Sequence, residues 1–227
     1  RPGMDERVNQ IAKVRYRFAG QARAAIVVRM PQGLLKGSAA QHSQTIENWF
    51  VNLPGVVVVT PSTAADLAGA IKAAIRSDDP VLIFEPKSHW KTVERVPDRI
   101  EPITFGKAVV RRAGADATIV TWSQALPVAL AAADQAAANG LSVEVIDLVS
   151  LWPWDSAAVA ASVRRTGRLM VVQEGGIDGG FGSEVLATTL EKIGPGAIRA
   201  ARRIGAPRIP VPFSPPLEAA VTLTPQR

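Results

Sequence analysis

The chain of 227 residues has no cysteine, only two histidines and a single tyrosine. Without cysteine there is no disulfide framework, no thiolate-bound zinc or iron–sulfur cluster and no cysteine nucleophile. His42 and His89 are too few for a three-histidine zinc site, and any histidine-dependent chemistry has those two candidates. No apolar run reaches the ~18 residues that span a bilayer, and no basic-plus-apolar leader is present, so a soluble cytoplasmic protein is expected. Aromatic residues make up 5% of the chain, and the excess of 26 Lys+Arg over 20 Asp+Glu is dispersed. No basic cluster interleaves aromatics for base stacking, so nucleic acid is not an expected partner. There is no G-x-S-x-G elbow and hence no support for that hydrolase class. What remains, 47% apolar and 20% charged, is ordinary globular composition, enough for one large or two small domains.

The pattern is two blocks of alternating strand and helix signals. In the first, Ala24–Arg29, Val56–Thr60 and Val81–Phe84 are short β-branched runs of the kind buried on both faces of a parallel sheet. Met30–Gln41, with Pro31, Gly33 and Gly37, reads as a loop. Ser43–Leu53 reads as a helix, with Ile46, Trp49, Phe50 and Leu53 at helical spacing and Pro54-Gly55 as its stop. Ala64–Arg76 reads as a helix opened by a hydroxyl cap, with Asp66 in its first turn. The stretch from Pro86 to Gly106 has no period and reads as a linker. The second block predicts strands at 117–122, 142–147, 168–173 and 197–201. Its helices are an Ala-rich one capped by Ser123 and ending at Gly140, then 156–165 and 183–193. The tail from Pro207 reads as neither regular helix nor central strand. The fold class is therefore α/β, two parallel-sheet domains: 1–88, a linker 89–106, and 107–227. With three strands in the first block, an apolar strand edge is expected to be exposed.

Gln41-His42-Ser43-Gln44 begins the expected helix after a glycine-containing loop. A histidine at a helix N-terminus is disfavoured as a cation and suits proton exchange with a carbonyl substrate; the plainer alternative is a loop or capping histidine. Arg29-Met30-Pro31-Gln32-Gly33 follows a buried strand, where parallel sheets bind ligands, or is simply a turn. Ala73–Pro80 closes a helix with carbonyls and aspartates suited to a hard cation, or is simply a polar helix end. The glycine-rich run 175–182 lacks the Walker ending and G-x-G-x-x-G spacing; a tight turn or close backbone packing is the expected reading.

Read together, K-V-R-Y-R around Tyr16, I-V-V-R-M-P-Q-G, A-Q-H-S-Q, L-P-G-V-V-V-V-T-P-S-T and I-F-E-P-K run in order over residues 7–87. G-K-A-V-V-R-R-A-G-A-D-A-T-I-V-T, V-I-D-L, V-V-Q-E, G-G-F-G-S-E and a P-x-P-F-x-x-x-L-E tail follow. This series resembles the β subunits of the decarboxylating first component of 2-oxoacid dehydrogenase complexes, of pyruvate, branched-chain and acetoin type. The resemblance implies the back half of a transketolase-like pyrimidine-binding domain, then a transketolase C-terminal-like domain.

It implies oxidative decarboxylation of a 2-oxoacid with acyl transfer to lipoyl. Thiamine diphosphate would be shared with an α subunit that holds its Mg²⁺, and a lipoyl-bearing acyltransferase core would be the further partner. His42 matches the family's active-site histidine and Tyr16 the tyrosine facing the cofactor's pyrimidine. Ile26, Ala74, Ile75, Ser77 and Asp79 fall where the family binds potassium. Ser77 stands in place of a usual Asp, Asp79 in place of a common Asn, and Arg208 in place of a usual acid. The family's chains begin earlier, and that stretch carries the glutamate that activates the aminopyrimidine. The chain alone is thus expected to be inactive and not to bind the cofactor. The runner-up reading keeps the fold as a non-catalytic assembly module or truncated copy.

Overall fold

The computed structural model describes residues 3–226; residues 1, 2 and 227, the outermost of the expected domain ranges, lie outside the described residues. A π-helical turn Glu6–Gln10 and a 3₁₀ turn Ile11–Lys13 lead into α1, Val14–Arg17. The first sheet then takes β1 (Val27–Gln32), β2 (Val57–Val59) and β3 (Val81–Pro86). Between them lie α2 (Ala39–His42), α3 (Asn48–Val51) and α4 (Ala64–Ile75). The second sheet takes β4 (Val109–Arg112), β5 (Ala117–Thr121), β6 (Val143–Asp147), β8 (Arg168–Gly176) and β9 (Ala200–Ala206). β7 (Ser150–Trp152) lies between β6 and β8 in the chain. The remaining helices are α5 (Leu126–Ala138), α6 (Ser156–Thr166), α7 (Phe181–Ile193) and α8 (Pro215–Val221).

Among the described residues the strand orders are β1-β3-β2-β7 and β4-β6-β5-β8-β9. Two strands were not expected, and both run antiparallel, so the sheets are mixed and not purely parallel. β4 pairs with β6, and β7 leaves the second block to pair with β2 through Val58↔Trp152 and Val59↔Ser150. β1 forms the outer edge of the first sheet.

Two helices have side-chain caps, whereas the Ser123 cap expected for the Ala-rich helix is absent: α5 starts at Leu126 after a 3₁₀ turn, with Ala125 before it and Ser123 Oγ unbonded. Thr63 Oγ1 accepts the Asp66 N–H (3.1 Å) at the start of α4, and Asp155 Oδ1 accepts the Ala158 N–H (3.1 Å) at the start of α6. Gly167, at φ +65°, ends α6 in the left-handed conformation that glycine adopts without a Cβ penalty.

Elsewhere the expected elements change. The helix anticipated over 43–53 is reduced to α3, Asn48–Val51, with 43–47 irregular; there the Ile46 N–H bonds the Gln32 side chain of β1 and the Gln44 carbonyl bonds the Gly33 N–H (2.9 Å). The strand expected at 24–29 lies at 27–32, taking in Pro31 and Gln32, and β9 lies at 200–206 instead of 197–201. The proline-rich tail contains α8, whose Pro215 and Pro216 occupy the first helical positions, where no N–H is needed. The stretch before Gly106 is partly docked: the Ile103 N–H reaches the Gly69 carbonyl (3.2 Å) and Lys72 Nζ the Ile100 carbonyl (2.6 Å).

A single apolar cluster joins the two sheets. Phe50, Leu53, Val58, Leu82 and Phe84 pack in it with Val120, Trp122, Ile146, Leu151, Val159 and Phe181. Phe50 meets Phe84 at 5.6 Å between ring centroids, and Trp122 meets Phe181 edge-on at 5.8 Å. This shared core holds the carboxyl ends of both sheets towards each other.

Candidate active site

Residues just past the carboxyl ends of β1, β2 and β3 bond to residues at the carboxyl ends of β8, β6 and β5. The Leu34 N–H donates to Glu174 Oε1 (2.7 Å), Ser62 Oγ to Asp147 Oδ1 (2.9 Å) and Ser88 Oγ to Gln124 Oε1 (2.9 Å). Loops past the carboxyl ends of parallel strands are where such sheets bind ligands. A cavity of about 660 Å³ opens here, between the segment after β1 and the C-terminal tail, with Gln41, Ser43, Trp49, Glu174, Arg208 and Leu223 in its wall.

Glu174 brings a carboxyl to the cavity wall, with Arg208 on the same wall. Glu174 accepts the Leu34 N–H and, at 3.3 Å, the Thr45 hydroxyl. Burial pushes it up to about 8, with the nearby Glu47 adding to the rise, so it carries a proton at pH 7. Glu47 is 1% exposed, and burial likewise raises it. Its Oε1 accepts the Trp122 indole N–H (3.2 Å), while its Oε2 has no partner. Two further buried oxygens, Ser43 Oγ in the cavity wall and Ser123 Oγ, also lack partners. Ser123 sits at φ +54°, an uncommon conformation for a residue with a side chain. Unpaired buried hydroxyls beside an open cavity are groups able to bond a ligand.

A second polar contact lies beside the first. The Arg111 guanidinium, from β4, pairs with Asp66 of α4 and with Asp147 at 2.8 Å. Asp147 is fully buried, and burial raises it to about 6 against the opposing pull of Arg111.

The residues expected from sequence are dispersed. His42 ends the short α2 and is exposed, while its neighbours Gln41 and Ser43 line the cavity. It does not begin a helix, so the helix-dipole argument for a neutral imidazole does not apply to it. His89 is not a free linker residue: it is half-buried beside the Ser62 backbone, and burial lowers its pKa.

Tyr16 is 89% exposed and borders a second cavity, of about 470 Å³, together with Gly55, Val57, Asp79 and Pro80. Those residues stand at the amino ends of β2 and β3, so Tyr16 and His42 lie at opposite ends of the first sheet. Ile26, Ala74, Ile75, Ser77 and Asp79 gather at the Tyr16 end, where four of them make bonds within the protein. The Ile26 carbonyl accepts the Val81 N–H (2.9 Å), and the Ala74 carbonyl accepts the Ser77 N–H (3.1 Å). Ser77 Oγ donates to the Asp79 carbonyl (2.9 Å), and the Asp79 carboxylate faces Arg15 at 2.6 Å. The glycine run 175–182 closes over the Gln173 side chain, whose amide oxygen accepts the Gly182 N–H (2.7 Å). Sequence reasoning missed Glu47 and Glu174; V-V-Q-E was visible as a word, but its contact lies 140 residues away.

Among the described residues no helix is long and apolar enough to cross a membrane. Family models match at residues 4–92, the pyrimidine-binding domain of transketolase, and at 106–227, the transketolase C-terminal domain. The chain is 38% identical over 219 residues to the pyruvate dehydrogenase E1 component subunit beta-1, mitochondrial, of Arabidopsis thaliana, covering 95% of this chain and 60% of that one. It is 35% identical over 228 residues to the 2-oxoisovalerate dehydrogenase subunit beta of Bacillus subtilis, covering 100% and 70%. A solved structure described as a split gene transketolase, inactive beta4 tetramer, superposes with a TM-score of 0.78 at 26% identity, over 96% of this chain and 66% of that one. The chain thus spans about 60% of the length of the first of these relatives.

Proposed function

This chain belongs to the transketolase-like family of 2-oxoacid dehydrogenase β subunits, and on that premise we propose that it forms the β side of a thiamine-dependent enzyme. The reaction is oxidative decarboxylation of a 2-oxoacid with acyl transfer to a lipoyl group. The division proposed is 1–88, a linker 89–106, and 107–227. The observation that carries the reading is the cleft at the facing carboxyl ends of the two sheets, where the Gln41–Gln44 segment brings the unpaired Ser43 hydroxyl to a wall shared with the raised carboxyl of Glu174.

The residues present do not by themselves fit thiamine diphosphate. Tyr16 and His42 stand at opposite ends of the first sheet, and Glu174 of the cleft is bonded to the Leu34 N–H and the Thr45 hydroxyl. The reading therefore requires an α-type partner that holds the diphosphate and its Mg²⁺. Bound between the two chains, the cofactor would supply the carbanion sink for loss of CO₂. The cation set at Asp79 does not fit potassium as it stands, because Arg15 already neutralises its carboxylate. A lipoyl-bearing acyltransferase is the proposed further partner.

His42 is assigned the proton transfer at the reacting carbonyl, through an imidazole that solvent and substrate both reach. In the assembled enzyme His42→Ala lowers turnover roughly 10²–10⁴-fold, the range for losing a positioned proton-transfer group, with cofactor affinity unchanged. His89→Ala leaves turnover intact. Equal effects of the two substitutions would remove His42 from the mechanism.

A further inference from the structure

The P-x-P-F-x-x-x-L-E tail, residues 210–218, ends in Glu218, within α8. A surface helix ordinarily docks by an apolar stripe. In α8 Leu217 is 59% exposed, and Phe213, just before the helix, is 71% exposed, whereas Glu218 is 6% exposed. The backbone of Glu218 is fixed inside the tail. Its N–H donates to the Ser214 carbonyl (2.8 Å), and its carbonyl accepts the Thr222 N–H (3.1 Å) and hydroxyl (2.8 Å). Its side chain leaves the tail: Oε2 accepts the Gly37 N–H (2.8 Å), 181 residues earlier. α8 thus turns its acid inward and its leucine outward, and the acid reaches the loop that carries Gln41 and His42.

The base of that loop is closed without Glu218. The Gly33 N–H donates to the Gln44 carbonyl (2.9 Å), and the Leu34 N–H donates to Glu174. The tip is a tight turn in which the Ser38 N–H reaches the Leu35 carbonyl (2.9 Å), with Gly37 at φ +76° and Ala39 at φ +52°. An alanine keeps a left-handed conformation only where its surroundings impose it. Loop and tail also line one cavity, the loop through Gln41 and Ser43 and the tail through Arg208 and Leu223. We propose that Glu218 is a positioning residue for the reaction assigned above: it bolts the tip of the loop to the C-terminal tail and so sets where Gln41 and His42 stand at the cavity. Its part in catalysis rests on the proposed function of His42. Because the base of the loop has its own bonds, loss of the bolt frees the tip and leaves the sheets intact.

Trypsin reads the tip directly, because Lys36 is exposed and the peptide bond after it leads to the N–H that Glu218 holds. In the full chain Glu218→Ala is expected to speed cleavage after Lys36 about tenfold, since cleavage of a folded chain follows the population of the open segment. Cleavage after Lys91, exposed in the irregular stretch after β3, is expected to keep its wild-type rate. Glu218→Gln keeps an acceptor oxygen and is expected to behave as wild type. Glu218→Met keeps the bulk without the acceptor and replaces Glu218→Ala if that chain does not fold. In the assembled enzyme Glu218→Ala is expected to lower kcat about tenfold with KM little changed, and to cost nothing further on a His42→Ala background. A general lesion of the fold would lower both backgrounds alike. Unchanged cleavage after Lys36, equal acceleration after Lys91, a Glu218→Gln chain cut as fast as Glu218→Ala, or the same loss of turnover with and without His42 overturns the proposal. A His42→Ala enzyme with wild-type turnover overturns the catalytic assignment, and the part of Glu218 in it, whatever trypsin shows.

Discussion

Among the polar contacts between the two sheets, two involve buried carboxyls and have opposite character. At one, Arg111 lies between Asp66 and Asp147, with Ser62 completing the shell of Asp147. At the other, Glu47 adds its charge beside Glu174, which has hydrogen-bond donors and the cation of Lys87 around it but, among the described residues, no guanidinium bonded to it. Burial raises the carboxyls in both places, yet Asp147 stays below neutrality at about 6 while Glu174 reaches about 8. A guanidinium pulls against burial at Asp147, whereas at Glu174 the neighbouring Glu47 adds to the rise and Lys87 opposes it. The Arg111 contact fastens the sheets, and the Glu174 contact holds a proton beside a cavity.

Removing the guanidinium gives the largest break in this comparison. Arg111→Ala strands two buried aspartates and is expected to cost about 3–5 kcal/mol, read by urea unfolding at pH 7. Next comes the pH dependence. A carboxyl whose folded pKa lies above its unfolded value keeps its proton after the unfolded chain has released it, so stability falls as pH rises through that interval. For Asp147 the interval runs from 3.8 to about 6, and for Glu174 from 4.5 to about 8. The slope is at most about 1.4 kcal/mol per pH unit for each group. Glu174→Gln is expected to reduce the fall between pH 4.5 and 8, most visibly between 6 and 8 where Asp147 no longer contributes, so a thermal melt series against pH separates the two contacts.

Gly33→Ala sharpens the acidic side alone. It forces a side chain onto a positive φ against Glu174 and Gln124, an expected loss of roughly 1–3 kcal/mol in the same unfolding assay. The smallest effect is the control. Asp155→Ala removes the α6 cap, away from the acid pair, and is expected to cost about 1 kcal/mol and to leave the fall between pH 6 and 8 in place.

What sequence could show follows the range of the interactions. Thr63 and Asp155 cap their helices within three residues, and Gly167 ends one by its own conformation, so α4 and α6 were legible. Periodicity misled over 43–53. Ile46, Trp49, Phe50 and Leu53 are spaced as a helix face, but Trp49 is 59% exposed and Glu47 is drawn to Trp122. β7 is three residues long and carries no alternation to find, and Pro215-Pro216 were read as breakers although a helix start tolerates them. The resemblance located His42 and Tyr16, but no local signal places them at opposite ends of a sheet. The acids of the cleft were invisible because Glu174 acquires its meaning from Leu34 and Thr45, more than a hundred residues earlier.

β7 has a consequence for how the molecule comes to be. The first sheet is completed on its β2 side by residues 150–152, which lie beyond β4, β5 and β6 in the chain. During synthesis β2 is made early and then waits, its outer backbone groups unsatisfied, until most of the second sheet has been translated. The early segment cannot mature as an independent unit, and the pairing that finishes it closes a long loop, which places it late among folding events. Nascent chains arrested before residue 150 should be the form most in need of chaperones, and those arrested after Trp152 has left the ribosomal tunnel much less so.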